Sequence, residues 1–121
     1  MINYQETYDA FVKRLVDGEQ IEPAETGKTI VLMAHAYGQH AQMLPSLERK
    51  VNIQMAELMK SADKETGKAM SGTKADAIVK ATDDYHTLNA TKAALDTIEA
   101  YINALKAMVK AQTGEFANAK F

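Results

Sequence analysis

Residues 78–109, IVKATDDYHTLNATKAALDTIEAYINALKAMV, decide the fold of this 121-residue chain. Apolar or small side chains recur there every three or four residues, which is the spacing of one face of an α-helix. A helix of about 40 residues is about 60 Å long at ~1.5 Å per residue, so it needs packing partners along that whole length. The stripe consists of Ile78, Ala81, Tyr85, Leu88, Thr91, Leu95, Ile98, Ile102, Leu105 and Val109.

A second stripe with the same spacing precedes the first. Pro45 interrupts it, and a proline inside a helix removes one backbone hydrogen bond and crowds the preceding turn. Either the helix kinks there, or it stops near Met43 and restarts with Pro45 in a new first turn. Because the apolar phase is kept across Pro45, we predict one kinked helical stretch over residues 23–64. Its stripe is Ile30, Met33, Tyr37, Ala41, Leu44, Leu47, Val51, Met55 and Leu58.

The other helix start and stop signals in the sequence complete an all-α prediction. Apolar spacing predicts a first helix over residues 3–17, followed by Gly18 as a stop signal. Thr73 and Asp76 resemble a capping box that opens a third helix over residues 73–112. The second and third stretches are nearly equal in length, as a hairpin with its turn near Lys68 requires. We therefore predict a single domain, residues 1–121, with a short N-terminal helix and a long antiparallel, coiled-coil-like hairpin.

Composition limits the possible functions. The net charge of −2 does not call for a nucleic acid or an anionic membrane as a partner. The absence of cysteine leaves no disulfide framework or thiolate metal site. The N-terminus lacks a basic region followed by an apolar run, and no apolar stretch approaches ~20 residues. We predict a cytoplasmic protein without a membrane span.

The two stripes are thin because alanines flank them. A narrow apolar seam offsets little of the roughly 1–2 kcal/mol per residue that ordering a backbone costs. We therefore expect a homo-oligomer in which hairpins pair side by side, with the stripe residues forming both core and interface. Methionines on the second stretch and the turn after it, at positions 33, 43, 55, 59 and 70, suit either a core or a groove for a partner protein.

Few residues suggest a catalytic, metal-binding or phosphate-binding site. Asp83 and His86 lie on adjacent helical turns, and His35 is a further imidazole, but helical-bundle metal sites need several such pairs facing inward. Thr26-Gly27-Lys28-Thr29 contains only the last letters of a phosphate-binding loop. We predict no catalytic residue, no cofactor and no metal, with His35, Asp83 and His86 as the weak metal candidates, and we do not expect an enzyme.

Three segments resemble a known group of proteins. They are Ser71-Gly72-Thr73-Lys74-Ala75-Asp76-Ala77, the middle around Tyr85, and Ala100-Tyr101-Ile102-Asn103-Ala104-Leu105-Lys106. Across residues 71–112 the chain resembles small helical proteins of tailed bacteriophages, encoded among early genes for recombination, replication and host takeover. The resemblance carries no catalytic motif. It implies action through binding, in the cytoplasm of an infected bacterium.

The predicted function is a non-enzymatic helical protein-interaction module, acting on a host or phage factor. One alternative is an accessory factor in recombination or replication that binds DNA or a DNA-processing protein. The lysines at 60, 64, 68, 74 and 80 motivate it, although acidic neighbours offset them. A second alternative is a bundle that holds a metal or a small ligand.

Overall fold

The structure is a computed structural model that describes residues 1–119, with side chains described for residues 1–114. An isolated antiparallel β-bridge joins Ala62 and Ala69, and the described residues contain no β-strand. The all-α class is thereby confirmed. The helices are α1 (Tyr4–Val16), α2 (Pro23–Ala41), α3 (Leu44–Lys60), α4 (Gly72–Lys80) and α5 (Asp83–Ala119).

Contacts within the chain divide it into two compact units. Unit 1 combines Met1–His40 with the chain from Ala94 onward, and unit 2 is Ala41–Ala93. Each unit has a hydrophobic cluster of its own. The prediction that the whole chain folds as one domain stays a prediction.

Helix α1 of unit 1 is fixed at both ends by local hydrogen bonds. The Asn3 side chain accepts a hydrogen bond from the Glu6 amide, which satisfies a free donor of the first turn. At the other end Gly18 adopts φ 83°, and its amide donates to the Leu15 carbonyl. Such a left-handed residue after the cap closes the last turn, and glycine adopts it without a steric penalty. The predicted range 3–17 agrees with these ends to within one residue.

The core of unit 1 collects side chains from α1, the connector after it, α2 and the part of α5 from Ala94 onward. Helix α5 runs antiparallel to α2, since Thr26 near the start of α2 contacts Gln112, and Ala34 lies beside Ile102 further along. Two tyrosines, Tyr8 and Tyr101, stack with ring centroids 3.8 Å apart. The buried residues are Phe11, Ile21, Met33, Ala36, Ile98 and Leu105.

Unit 2 is a shorter helical assembly of α3, α4 and the first part of α5. The chain reverses direction between Ser61 and Ser71, close to the predicted turn at Lys68. Inside this reversal the carboxylate of Asp63 is buried and accepts from the Glu65 amide at 2.9 Å. The core residues are Leu47, Val51, Val79 and Leu88.

The second predicted stretch is two helices rather than one kinked rod. Helix α2 ends at Ala41, and α3 begins at Leu44 with Pro45 in its first turn. A proline needs no hydrogen-bond donor in a first turn, whereas inside a helix it would lack its partner bond. Helix α3 also ends at Lys60 rather than near residue 64, because Asp63 belongs to the reversal.

The third predicted helix is also divided. Its N-cap is Ser71, whose hydroxyl accepts from the Lys74 amide at 3.2 Å, so α4 begins before Thr73. The chain leaves helical geometry at Ala81 and Thr82, and α5 then continues well beyond residue 112. Thr82 supplies the restart, since its hydroxyl accepts from the Tyr85 amide at 3.3 Å.

Most residues of the two predicted stripes are buried or half-buried, with three exceptions. Ile78 is 39% exposed, and its neighbour Val79 is buried instead. Tyr37 is 36% exposed, and Ala36 takes its place in the core. Ala81 is exposed as well, because it lies at the break before α5. The half-buried stripe residues are Ile30, Ala41, Leu44, Met55, Leu58, Tyr85, Ile102 and Val109, and the buried ones are Met33, Leu47, Val51, Leu88, Thr91, Leu95, Ile98 and Leu105.

Candidate interaction surface

The outer face of α2 is an apolar surface in unit 1. The buried side of this helix carries Thr26, Met33 and Ala36. On the opposite side the residues follow steps of three or four, and Val31 at their centre is 67% exposed. Between residues 27 and 38 only Lys28 carries a formal charge at pH 7. We define the outer face of α2 as Ala24, Gly27, Val31, Ala34 and Gly38.

Two glycines leave open space along this face. A Cβ atom at Gly27 or at Gly38 would meet no heavy atom of the chain within 4 Å. Neither residue has a positive φ angle, so the backbone does not require glycine at either position. Glycine in a helix interior is less favourable than alanine by about 1 kcal/mol. Packing within the chain therefore does not explain why either position is glycine.

Larger side chains border the outer face of α2. Leu32 lies on one flank and is 44% exposed. Tyr37 lies on the other flank, beside a shallow groove of about 260 Å³ that Ile102 also lines. Glu99 and Lys106 stand at this groove. The surface thus joins exposed apolar side chains to Lys28 and His35 beside Val31 and to Glu99 and Lys106 at the groove, and a mixture of apolar and polar groups is the usual make-up of a protein-binding patch.

The exposed side of α3 has a different character. Charged residues dominate it, so the exposed Ile53 and Met59 lie among charges in the sequence. Isolated exposed apolar residues of this kind are normal on soluble proteins. The exposed charged residues of α3 are Glu48, Arg49, Lys50, Glu57 and Lys60.

A larger cavity of about 680 Å³ lies where α1 ends and α2 begins. Leu15, Ile21 and Pro23 give it an apolar floor, and Glu19 stands at its rim. The Gln112 side chain also lines it, but Gln112 already donates to the Ile21 carbonyl at 2.8 Å. The Gln112 side chain at this cavity is thus engaged with the chain itself.

An arginine joins the elements around that cavity. Arg14 contacts Glu19 through Nε at 2.6 Å and Glu25 through Nη1 at 2.5 Å. These hydrogen bonds lower the pKa of both carboxyl groups and raise the pKa of Arg14. Arg14 therefore ties the end of α1 to the first turn of α2 as a structural ion-pair network.

A second ion pair closes the reversal in unit 2. The Lys74 ammonium lies 2.8 Å from Asp63 Oδ1 and 3.3 Å from Glu65 Oε2. Two hydrogen bonds lower the pKa of Asp63. The one from Lys74 has the larger effect, and the one from the Glu65 amide has the smaller effect. Lys80 likewise pairs with Asp76 at 2.9 Å. Two of the five lysines that motivated a nucleic-acid interface are thus neutralised by carboxylates.

The weak metal candidates do not form a cluster in the part of the chain that the structure describes. His35 is exposed beside the outer face of α2. Asp83 and His86 are exposed on the first turn of α5, where the His86 ring meets the edge of Tyr85. No three histidine, aspartate or glutamate side chains converge among residues 1–114. The Thr29 hydroxyl donates to the Glu25 carbonyl of α2, and the Thr26 hydroxyl shares its proton between the Glu22 carbonyl just before α2 and Gln112 Oε1.

The methionines that suit either a core or a partner groove do not form one surface. Met33 is fully buried in unit 1, whereas Met43, Met55, Met59 and Met70 belong to unit 2. The surface that sequence reasoning missed is the outer face of α2. Its signal is the series of small residues at positions 24, 27, 34 and 38, opposite the stripe that contains Met33.

Comparisons of the chain with protein-family models, with curated proteins and with solved structures found no match. The resemblance to small bacteriophage proteins therefore stays a prediction, as does a cytoplasmic location. Among the described residues, no helix is both long enough and apolar enough to cross a membrane.

Proposed function

We propose that the protein is a non-enzymatic protein-interaction module whose contact surface is the outer face of α2. The observation that carries this proposal is the exposure of Val31, 67%, and of Leu32, 44%, on a helix whose only formal charge between residues 27 and 38 is Lys28. Exposed apolar surface is disfavoured in water, and a contiguous patch of it is typical of binding sites.

The ionisable groups favour binding over acid–base catalysis. General acid–base catalysis needs groups with shifted pKa values that converge on a concave site. Here the shifted carboxyl groups, Glu19, Glu25 and Asp63, are each held by a structural cation. Burial raises the pKa of Tyr101, whose ring is stacked on Tyr8 inside unit 1. These shifts have structural causes.

Site-specific photocrosslinking tests the proposal. A photoreactive amino acid at Val31 is expected to form covalent adducts with a protein, either in the purified sample or after addition of a bacterial lysate. The control places the same group at Ala104, an exposed residue of α5 in unit 1. Adducts at Val31 and not at Ala104, read by gel shift and mass spectrometry, support the proposal. Equal labelling at both positions, or none at Val31, contradicts it.

A further inference from the structure

Tyrosine side chains from α1 and α5 form one cluster in unit 1. The rings of Tyr8 and Tyr101 are stacked, with centroids 3.8 Å apart and planes 4° from parallel. Tyr4, one turn earlier on α1, lies further away, with its ring centroid 6.4 Å from that of Tyr101 and its plane tilted by 50°. All three side chains pack on the core of unit 1 and are half-buried, so part of each ring stays open to solvent.

The stack of Tyr8 on Tyr101 is closer and flatter than most aromatic pairs. Such pairs usually have ring centroids about 4.5–7 Å apart and avoid a full face-to-face arrangement. Carbon atoms in contact are about 3.5–4.0 Å apart, so two parallel rings with centroids 3.8 Å apart are only slightly offset. The π faces of the two phenol rings therefore point at each other across van der Waals contact.

This geometry suits the coupling of two phenoxyl radicals. A phenol that loses an electron and a proton keeps its unpaired electron in a π orbital, with density on the ring carbons beside the C–O bond. A bond between two such rings forms where the π lobes of these carbons face each other. The stacked pair holds two phenols in that arrangement before any oxidation takes place.

The composition of the chain directs one-electron oxidation toward tyrosine. Tryptophan and cysteine, which also give up an electron readily, are absent from all 121 residues. Methionine is oxidised to the sulfoxide, which forms no bond between side chains. Of the other tyrosines, Tyr37 lies on a flank of the outer face of α2, and Tyr85 belongs to unit 2, where its ring meets His86. Among the described residues, Tyr8 and Tyr101 are the only stacked tyrosines.

We propose that Tyr8 and Tyr101 form an oxidative crosslinking site, at which a one-electron oxidant joins their rings through a dityrosine bond. Each phenol gives one electron to the oxidant and one proton to water, and a carbon–carbon bond forms between their Cε atoms. The hydrogens on those two carbons then move to the phenol oxygens, which restores both aromatic rings. Two equivalents of oxidant are reduced, and the chain loses two hydrogen atoms. The bond ties α1 covalently to α5, and this inference does not depend on the proposed function.

The surroundings of Tyr101 define how it is oxidised. Burial, and to a smaller degree the negative charge of Asp9, raise the pKa of Tyr101. The phenol therefore keeps its proton at neutral pH, and its oxidation releases that proton together with the electron. The negative charge of Asp9 also favours removal of an electron from this ring. Because the core of unit 1 holds both rings in place, the coupling is effectively a unimolecular step.

Light-triggered oxidation of the full chain tests the inference. Photoexcited tris(bipyridine)ruthenium(II) with persulfate is a one-electron oxidant, and N-acetyltyrosinamide illuminated in parallel shows that the dose oxidises tyrosine. The expected product is a monomer with dityrosine fluorescence and a mass lower by two hydrogen atoms. Trypsin should release it as a crosslinked pair of peptides, residues 1–13 and 93–106. The yield within the monomer should not change on about tenfold dilution, since the step is unimolecular.

Single substitutions identify the tyrosine of α1, because peptide 1–13 contains both Tyr4 and Tyr8. Tyr8→Phe and Tyr101→Phe keep a ring in the stack but remove one phenol, and each should lower the yield within the monomer at least about tenfold. Tyr4→Phe is the matched control and should keep the crosslink. Unfolding the chain in urea before illumination should also lower the yield, because the stack is then lost.

These results together support the inference. A crosslink that Tyr4→Phe abolishes and Tyr8→Phe leaves intact overturns it, as does one that forms only between separate chains. An equal yield within the monomer in the unfolded chain overturns it too, since the folded stack would then have no effect. The absence of dityrosine at a dose that consumes N-acetyltyrosinamide also overturns it.

Discussion

The side chain of Gln112 donates a hydrogen bond of 2.8 Å to the carbonyl of Ile21, which lies 91 residues earlier in the chain. Its Oε1 atom accepts a second hydrogen bond from the Thr26 hydroxyl at 3.3 Å. One amide thus holds the connector before α2 and the first turns of α2 against α5. The Thr26 side chain is fully buried, so its hydrogen bonds are shielded from water.

Replacing Gln112 by alanine should destabilise the protein by about 1–3 kcal/mol. The buried Ile21 carbonyl would lose its hydrogen bond, and unsatisfied buried polar groups carry a penalty of that size. Urea unfolding followed by circular dichroism measures the change. Gln42→Ala, at an exposed position outside any helix, is the control and should stay within about 0.5 kcal/mol of wild type. Equal effects of the two variants would show that the hydrogen bonds do not matter.

Acid should weaken the reversal in unit 2. Lys74 lowers the pKa of Asp63 below its ordinary value of 3.8. A carboxyl group with a lowered pKa in the folded state stabilises the protein above its unfolded pKa, and this contribution is lost as the pH falls through the folded value. Thermal melts at pH 7 and at successive steps below pH 4 should therefore show a steeper loss for wild type than for Asp63→Asn.

The control for the acid prediction is Asp76→Asn. Asp76 is also ion-paired, but its pair with Lys80 is largely exposed, and exposed pairs contribute little. Asp76→Asn should keep the acid dependence of wild type. If Asp63→Asn loses stability below pH 4 as steeply as wild type does, Asp63 is not the group responsible.

The stacked pair Tyr8 and Tyr101 should show energetic coupling. Their rings are 3.8 Å apart and 4° from parallel, and such aromatic pairs contribute about 0.5–1.5 kcal/mol beyond the area they bury. A double-mutant cycle with Tyr8→Leu and Tyr101→Leu, measured by urea unfolding, isolates this coupling from the loss of each side chain. Strictly additive effects would mean that the stack contributes no specific energy.

The hydroxyl of Thr82 should be necessary for the start of α5. Thr82→Ala removes the acceptor for the Tyr85 amide and should cost about 1 kcal/mol, as the loss of other helix caps does. Thr82→Ser keeps the hydroxyl and should recover most of that loss. Thr87→Ala, at an exposed position further along α5, is the control. A serine variant as unstable as the alanine variant would assign the effect to the methyl group instead.

Helix type could be predicted from this sequence better than helix continuity. The three- to four-residue spacing of Leu88, Leu95 and Ile98 depends only on helical geometry, and the predicted burial of these three residues is confirmed. The breaks before Leu44 and at Thr82 were missed because an apolar stripe can keep its phase while the backbone is interrupted. Thr82-Asp83-Asp84 is nevertheless a helix-start signal, a capping residue followed by acidic residues in the first turn.

The candidate surface was harder to predict. Gly27 was interpreted as part of a fragment of a phosphate-binding loop. The open space beside its Cα atom can be recognised only from the positions of the surrounding residues in the structure. The pairing of Ile21 with Gln112 has no local signal at all, because periodicity describes one helix at a time. Sequence spacing therefore predicts which side of a helix is apolar, and does not predict which apolar side stays uncovered.

The division of the chain into two units also leads to an expectation about the order of folding. Unit 2 is one continuous segment, and its side-chain contacts include pairs 11 residues apart, Asp63 and Lys74, and 30 residues apart, Gln54 and Asp84. In unit 1, by contrast, Gln112 and Ile21 are 91 residues apart. Unit 1 must join two segments that the whole of unit 2 separates, and closing a longer loop costs more entropy. Local contacts also form faster than distant ones. We therefore expect unit 2 to form before unit 1, whose two segments can meet only across the whole length of unit 2.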